Sequence, residues 1–234
     1  MLEVRALCAG YGRAQALHEL SLSVANAETV VLLGRNGAGK STTLKAIAGL
    51  LRPVRGEVLF GGERIEALTS WRIARMGLGY VPEERRIFAD LTVIENLQVG
   101  RQPARPGLPQ WTFERIVALF PNLGELKDRR GGEISGGEQQ MLTIARTLMG
   151  NPTTILLDEP TEGLAPVIVA QVAEALRELK RDGVAVLLSE QNFRFAQEVA
   201  DRVYVIEGGQ LRYAGSMAAF VRDAAARAQY LGFD

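Results

Sequence analysis

Apolar and polar positions divide the chain into short apolar runs and longer periodic stretches. Leu2 to Leu7 and Ala16 to Val24 alternate apolar with polar residues, the two-residue period of half-buried strands. Thr29-Val30-Val31-Leu32-Leu33 is a continuous β-branched-rich run, the pattern of a central strand covered on both faces. Glu57 to Phe60, Leu78 to Val81, Thr153 to Leu157, Val184 to Leu188 and Arg202 to Ile206 are further strand candidates. Lys40 to Leu51 carries helical periodicity through Leu44, Ile47, Ala48 and Leu51 and stops before Pro53. Other helical patterns lie at about 92–101, 112–121, 136–150 and 167–182. Glu207-Gly208-Gly209-Gln210 reads as a hairpin turn into Leu211 to Ala214.

Strands alternating with helices predict an α/β fold, a mostly parallel sheet covered on both faces. Between about 84 and 150 no strand pattern occurs, only helices and the Arg- and Pro-rich loop Gln102 to Pro109. The expectation is one domain over 1–234, with a core of 1–83 and 151–234 and a helical subdomain at 84–150 inserted into it.

Composition narrows the chemistry. The 27 Lys and Arg balance the 27 Asp and Glu, which argues against a nucleic-acid footprint spread over the whole surface and leaves room only for a local basic patch; no nucleic-acid partner is expected. The single cysteine, Cys8, excludes an intrachain disulfide and a multi-cysteine metal site, and is expected to be an inert strand residue. The single histidine, His18, excludes a His-rich metal centre and is read as an exposed or edge residue. No apolar run approaches the roughly 20 residues of a membrane-spanning helix. The opening Met1-Leu2-Glu3-Val4-Arg5 lacks a basic region followed by an apolar stretch, so the expectation is a cytoplasmic chain that reaches a membrane only through partners.

Gly34-Arg35-Asn36-Gly37-Ala38-Gly39-Lys40-Ser41-Thr42 follows the buried strand and opens a helix, the P-loop pattern in the context it requires. Glycines let backbone N–H groups turn inward as an anion nest, and the helix N-terminus adds partial positive charge. Lys40 is expected at the β- and γ-phosphates of ATP, with Gly39 and Thr42 also on phosphate and the Ser41 hydroxyl on Mg²⁺. A second apolar strand, Ile155-Leu156-Leu157, ends in Asp158-Glu159-Pro160. Ligands of open α/β sheets lie at the carboxyl ends of strands, where the phosphate loop also lies. That predicts Asp158 beside Mg²⁺ and Glu159 beside the γ-phosphate as the base that polarises the attacking water.

Ile134-Ser135-Gly136-Gly137-Glu138-Gln139-Gln140 precedes a helix and the acidic strand. This segment resembles the signature motif of ABC ATPases, in the ABC order, and the match extends over nearly the whole chain. The resemblance implies a P-loop NTPase (RecA-like) core, an N-terminal antiparallel β region and a helical signature subdomain. It also implies adenine stacking on Tyr11, a lid at Pro82-Glu83 and a D-loop at Thr161 to Pro166. Val81 to Phe88, Ser135 to Met141 and Ser189-Glu190-Gln191-Asn192 are similar to the LivF type of the branched-chain amino acid importers and equally to their urea-importer relatives.

In that family the signature acts in trans: two ATPase subunits pack head to tail, and Ser135, Gly136, Gly137 and Glu138 would face the other chain's ATP. The implied assembly has two membrane permeases, a second related ATPase (or a second copy of this chain) and, indirectly, a periplasmic solute-binding protein. It would sit at the cytoplasmic face of the inner membrane.

Three positions depart from the general ABC pattern. The lid Gln is Glu83, placed here as a Mg²⁺ ligand; the switch His falls on Gln191, counted back from Ala200-Asp201-Arg202; the D-loop Asp falls on Ala165. Gln191 hydrogen-bonds but carries no positive charge. The departures agree with the LivF resemblance, or else mark a weak ATPase. A non-transport ABC ATPase and a regulatory nucleotide-binding module are the alternatives. Urea, short amides and aromatic acids stay open as solutes.

Overall fold

The computed structural model describes residues 1–231. Two sheets form its frame. Strands β1 (Leu2–Tyr11), β2 (Ala14–Val24), β4 (Arg55–Phe60) and β5 (Glu63–Arg64) make an antiparallel sheet in the order β2-β1-β4-β5. Strands β3 (Thr29–Leu33), β6 (Leu78–Val81), β7 (Thr154–Asp158), β8 (Ala185–Glu190), β9 (Arg202–Glu207) and β10 (Gln210–Ser216) make the second, ordered β10-β9-β3-β8-β7-β6. All its pairings are parallel except β9 with β10, the hairpin expected from Gly208-Gly209.

The helices are α1 (Lys40–Ile47), α2 (Ser70–Met76), α3 (Val93–Gly100), α4 (Phe113–Leu119), α5 (Pro121–Glu125), α6 (Gly136–Leu148), α7 (Pro166–Arg181), α8 (Phe193–Val199), α9 (Met217–Arg222) and α10 (Ala224–Leu231). No helix among the described residues is long and apolar enough to cross a membrane.

Every residue of β3 is buried, and β8 and β9 flank it on its two sides. Its side chains alternate between two cores, as a two-residue period dictates. Val31 and Leu33 join the core that contains α3 to α7, whereas Val30 and Leu32 join the core beneath α1 and the antiparallel sheet. Ile155 and Leu157 against Leu156 repeat this division in β7. Trp111, Ile116, Phe120 and Leu123 from the 84–150 region pack into the same core as β3, so those helices are anchored on the sheet face itself.

Several boundaries differ from expectation for local reasons. β1 continues to Tyr11 through register shifts, because Leu7, Cys8 and Ala9 are all buried and break the alternation that would have signalled the strand. The first helix leaves α geometry after Ala48, and the amides of Leu50 and Leu51 fold back onto the Lys45 carbonyl. The stretch read as one helix over 112–121 divides at Phe120, with Pro121 starting a new turn. Helix α2 has a single buried residue, Ile73, which is too little to create a visible period.

A candidate nucleotide site

The phosphate loop leaves the C-terminal end of β3 and enters α1 through Gly39, the N-cap, at φ 110°. The φ there is one that L side chains rarely adopt, so conformation demands glycine, and a Cβ would also press to 2.8 Å on Leu17 Cδ2. No side chain caps α1. Among the described residues, the amides of Gly37, Gly39, Lys40, Ser41 and Thr42 donate to no protein acceptor. A run of unsatisfied N–H groups at a helix N-terminus is the fit expected of a phosphate cradle. The buried Lys40 ammonium lies inside it, donating to the Gly34 carbonyl at 2.9 Å and the Arg35 carbonyl at 3.3 Å. Arg35 and Asn36 are exposed at the loop's rim, and Ala38 is buried.

Parallel pairing of β3, β8 and β7 brings three strand ends to this loop. Glu159 Oε1 stands 3.0 Å from Lys40 Nζ, and Gln191 Nε2 donates to Glu159 Oε2 at 2.6 Å and to Asn36 Oδ1 at 2.7 Å. The Glu159 backbone is left-handed, φ 45°, and its amide donates to the Ser189 hydroxyl at 3.1 Å. Asp158 accepts from Ser41 Oγ at 2.8 Å, from Ser189 Oγ at 2.7 Å and from the Tyr80 phenol at 3.1 Å. Burial and the Asp158 carboxylate push the Tyr80 pKa well above its ordinary value, so the phenol stays a donor.

Ser41 and Asp158 are a contacting pair of hard oxygen donors. Among the described residues no cluster of three or more His, Cys, Asp or Glu could cage a metal. That donor set fits Mg²⁺, which takes one or two protein oxygens and completes its shell with phosphate and water.

Glu83 is exposed and makes no hydrogen bond to Ser41 or Asp158 among the described residues. Partial burial and the carboxylates of Glu162, Glu159, Asp158 and Glu84 raise its pKa. Tyr11 ends β1 with its ring exposed and free of both cores. Ser135 caps α6 in a capping box: its hydroxyl accepts from the Glu138 amide at 3.4 Å, and its amide donates to Glu138 Oε2 at 2.7 Å. Gly136 lies under the Arg85 guanidinium, where a Cβ would stand 2.6 Å from a guanidinium nitrogen. Among the described residues no hydrogen bond joins Ser135, Gly136, Gly137 or Glu138 to the phosphate loop.

Sequence reading gave no role to Tyr80, Ser189 or Glu190, the three buried or half-buried partners behind the acidic strand end. Ser189 and Glu190 end β8 as two polar residues in an otherwise apolar run, and that was the available signal. His18 is exposed on β2, and Cys8 is buried in β1. Trp111 and Phe120 are core residues of the helical region.

Comparison with known proteins matches this architecture. The ABC transporter family model matches residues 17–162. The chain is 44% identical over 222 residues, 95% of each protein, to the high-affinity branched-chain amino acid transport ATP-binding protein BraG of Pseudomonas aeruginosa. It is 33% identical over 235 residues, 100% of this chain and 98% of the relative, to the lipopolysaccharide export system ATP-binding protein LptB of Escherichia coli. An ATP-binding subunit of an ABC transporter superposes with TM-score 0.84 at 29% identity, covering 99% of this chain and 96% of that one. A nucleotide-free ATP-binding cassette does so with TM-score 0.82 at 27% identity, covering 97% and 96%. The chain belongs to the ATP-binding subunits of ABC transporters and is an ATPase.

Proposed function

We propose that this ATPase powers import of branched-chain amino acids, or a closely related small solute, through separate permeases. The observation that carries the reading is the 44% identity to BraG over 95% of both chains, against 33–36% for the LptB relatives. In this reading Lys40 exchanges the Gly34 and Arg35 carbonyls and Glu159 for the β- and γ-phosphates, while the free amides of the loop hold the same phosphates. Tyr11 stacks on adenine. Ser41 and Asp158 would hold Mg²⁺, with Glu83 joining from the lid, and the bound ion would supply charge neutralisation at the phosphates. Release from Lys40 frees Glu159 Oε1 to accept a proton from water, and Gln191 keeps the carboxylate oriented through Oε2. A second ATPase, in a head-to-tail dimer, supplies the signature residues that complete the site.

The permease dock we assign is a groove of about 430 Å³ lined by Trp71, Arg75, Tyr80, Phe88, Val99 and Arg146. Trp71, Phe88 and Val99 are large apolar side chains exposed there, which suits an apolar helix with an acidic residue. Seated on permeases, the chain lies at the cytoplasmic face of the inner membrane, and a periplasmic binding protein delivers solute from the other side.

Reconstitution with the permeases, the second ATPase and the solute-binding protein tests this. ATP turnover should rise on adding binding protein loaded with leucine, isoleucine or valine. Turnover that responds only to lipopolysaccharide, or to urea, would remove amino acids as the solute.

A further inference from the structure

Glu190 is a carboxylate buried to 2% exposure in the last residue of β8, one position before Gln191. Burial of that kind is costly unless both oxygens are satisfied. Here they are: Oε1 accepts from the Thr161 hydroxyl at 2.6 Å, and Oε2 accepts from the amides of Gln191 and Asn192 at 3.1 and 3.2 Å. Thr161 opens the turn after Glu159-Pro160, and Asn192 caps α8 through the Phe195 amide. One side chain therefore ties the segment that follows the acidic strand to the segment that carries Gln191. Nothing in the catalytic reading uses it, and an apolar residue would fit a buried strand end without a desolvation cost.

We infer that Glu190 is a positioning residue: it holds the Gln191 backbone so that the amide side chain stays between Glu159 and Asn36. The inference rests on the proposed role of Gln191. The geometry explains why a carboxylate is needed. Three donors approach from two directions, and only a group with two acceptor oxygens serves all three. In Glu190→Gln one oxygen becomes an NH₂ group, which donates and cannot accept the Thr161 hydroxyl proton, so that hydroxyl must turn around and accept instead. With Val at 161, Glu190 loses the arm that fixes its own orientation. In either case Gln191 keeps its chemistry and loses its aim, while the phosphate loop is untouched.

The test measures steady-state ATPase kinetics, ATP affinity and Tm for Thr161→Val, Thr161→Ser and Glu190→Gln, each alone and combined with Gln191→Ala. Thr161→Val and Glu190→Gln should lower kcat about ten- to 150-fold, the range of one hydrogen bond to a charged group, with KM for ATP within about twofold of the parent. Thr161→Ser, which keeps the hydroxyl, should restore most of the rate. In the Gln191→Ala background neither variant should add a further loss, because the residue they position is gone. Losses that multiply with Gln191→Ala would overturn the inference, as would changes confined to KM. If Gln191→Ala alone leaves kcat unchanged, the reading of Gln191 fails first and is seen to fail separately. Should Glu190→Gln lower Tm steeply, the Thr161→Val and Thr161→Ser pair carries the same comparison on an intact fold.

Discussion

Two helix N-termini in this molecule are proposed to bind phosphate, and they are built differently. At α1 the N-cap is a glycine with no capping side chain, and five successive or near-successive amides point at no protein acceptor. At α6 the N-cap is Ser135, and a reciprocal capping box with Glu138 satisfies one amide at each end of the first turn. A cap of this kind contributes about 0.5–2 kcal/mol to helix stability. The first terminus forgoes that stabilisation and relies on the buried Lys40, itself held by carbonyls and by Glu159, to keep the loop in shape. The second stands without help and offers outward only the Ser135 proton and the Gly136 and Gly137 amides. The phosphate loop is thus a preformed cradle whose amides wait for an anion, whereas the signature turn is a self-capped surface that can only add its part to a site held elsewhere.

The largest effect should come from the phosphate-loop half. Glu159→Gln keeps the size of the side chain and an oxygen for Lys40 but cannot take a proton from water. Turnover should fall by about 10²–10⁴, the range for a lost general base, while ATP affinity stays within a few-fold. An ATP-bound dimer should accumulate, visible by size exclusion with ATP. Unchanged turnover would take Glu159 out of the chemistry and dissolve the contrast between the two halves.

The second test asks whether the halves meet across chains. Ser135→Asp retains a good N-cap, so α6 should keep its stability, but it adds a negative charge where phosphate would arrive. Lys40→Ala removes the ammonium from the other half. Each variant alone should be inactive. If this chain pairs with itself, an equimolar mixture places both lesions in one site of each mixed dimer and leaves the other site whole. Random pairing then restores roughly a quarter of the parent activity, provided the sites turn over independently. No recovery, with stimulation of the unaltered chain by the distinct ATPase, would assign completion to that mate. Activity insensitive to Ser135→Asp at every protein concentration would show that one chain suffices.

The two halves were also unequally legible in the sequence. The phosphate loop and acidic strand end could be read because their context is local: a buried β-branched strand, a glycine loop and a helix in succession. The side chains that hold them could not. Tyr80, Ser189 and Glu190 come from β6 and β8, whose order in the sheet brings them to Asp158 and Thr161 only after folding. The signature turn was legible through resemblance, and its capping box follows from the Ser-x-x-Glu spacing. The position of Arg85 over Gly136 was not legible, since 51 residues' separation carries no periodic signal. Boundaries failed where burial overrode period, as in β1 beyond Leu7, or where a turn replaced a helix, as at Phe120.

The smallest expected effect concerns the segment that joins the halves. Glu83 begins the segment proposed as a lid, whose other end is fastened to α6, where Thr143 donates to the Arg85 carbonyl and Arg146 donates to the Arg86 carbonyl at 2.7 Å. Partial burial raises the Glu83 pKa first; the carboxylates that add to it, Glu162, Glu159 and Asp158, all belong to the acidic strand end and its following turn, and Glu84 adds the last share. Mechanically the lid is thus held by the signature helix, yet electrostatically it belongs to the phosphate half. A carboxyl whose folded pKa lies above the unfolded value of 4.5 gives its full stability below that value and loses it as pH rises through the folded pKa. Glu83→Gln, uncharged throughout, should therefore be the more stable protein at pH 7 and equal to the parent below about pH 4. Because the side chain is exposed and solvent-screened, the gain in Tm should be small, about 1 °C. Thermal melts of both proteins from pH 4 to pH 8 read it directly. A variant less stable than the parent at pH 7, or a gap that widens as pH falls, would mean that Glu83 answers to a cation on the α6 side, and the lid would then belong to the signature half on both counts.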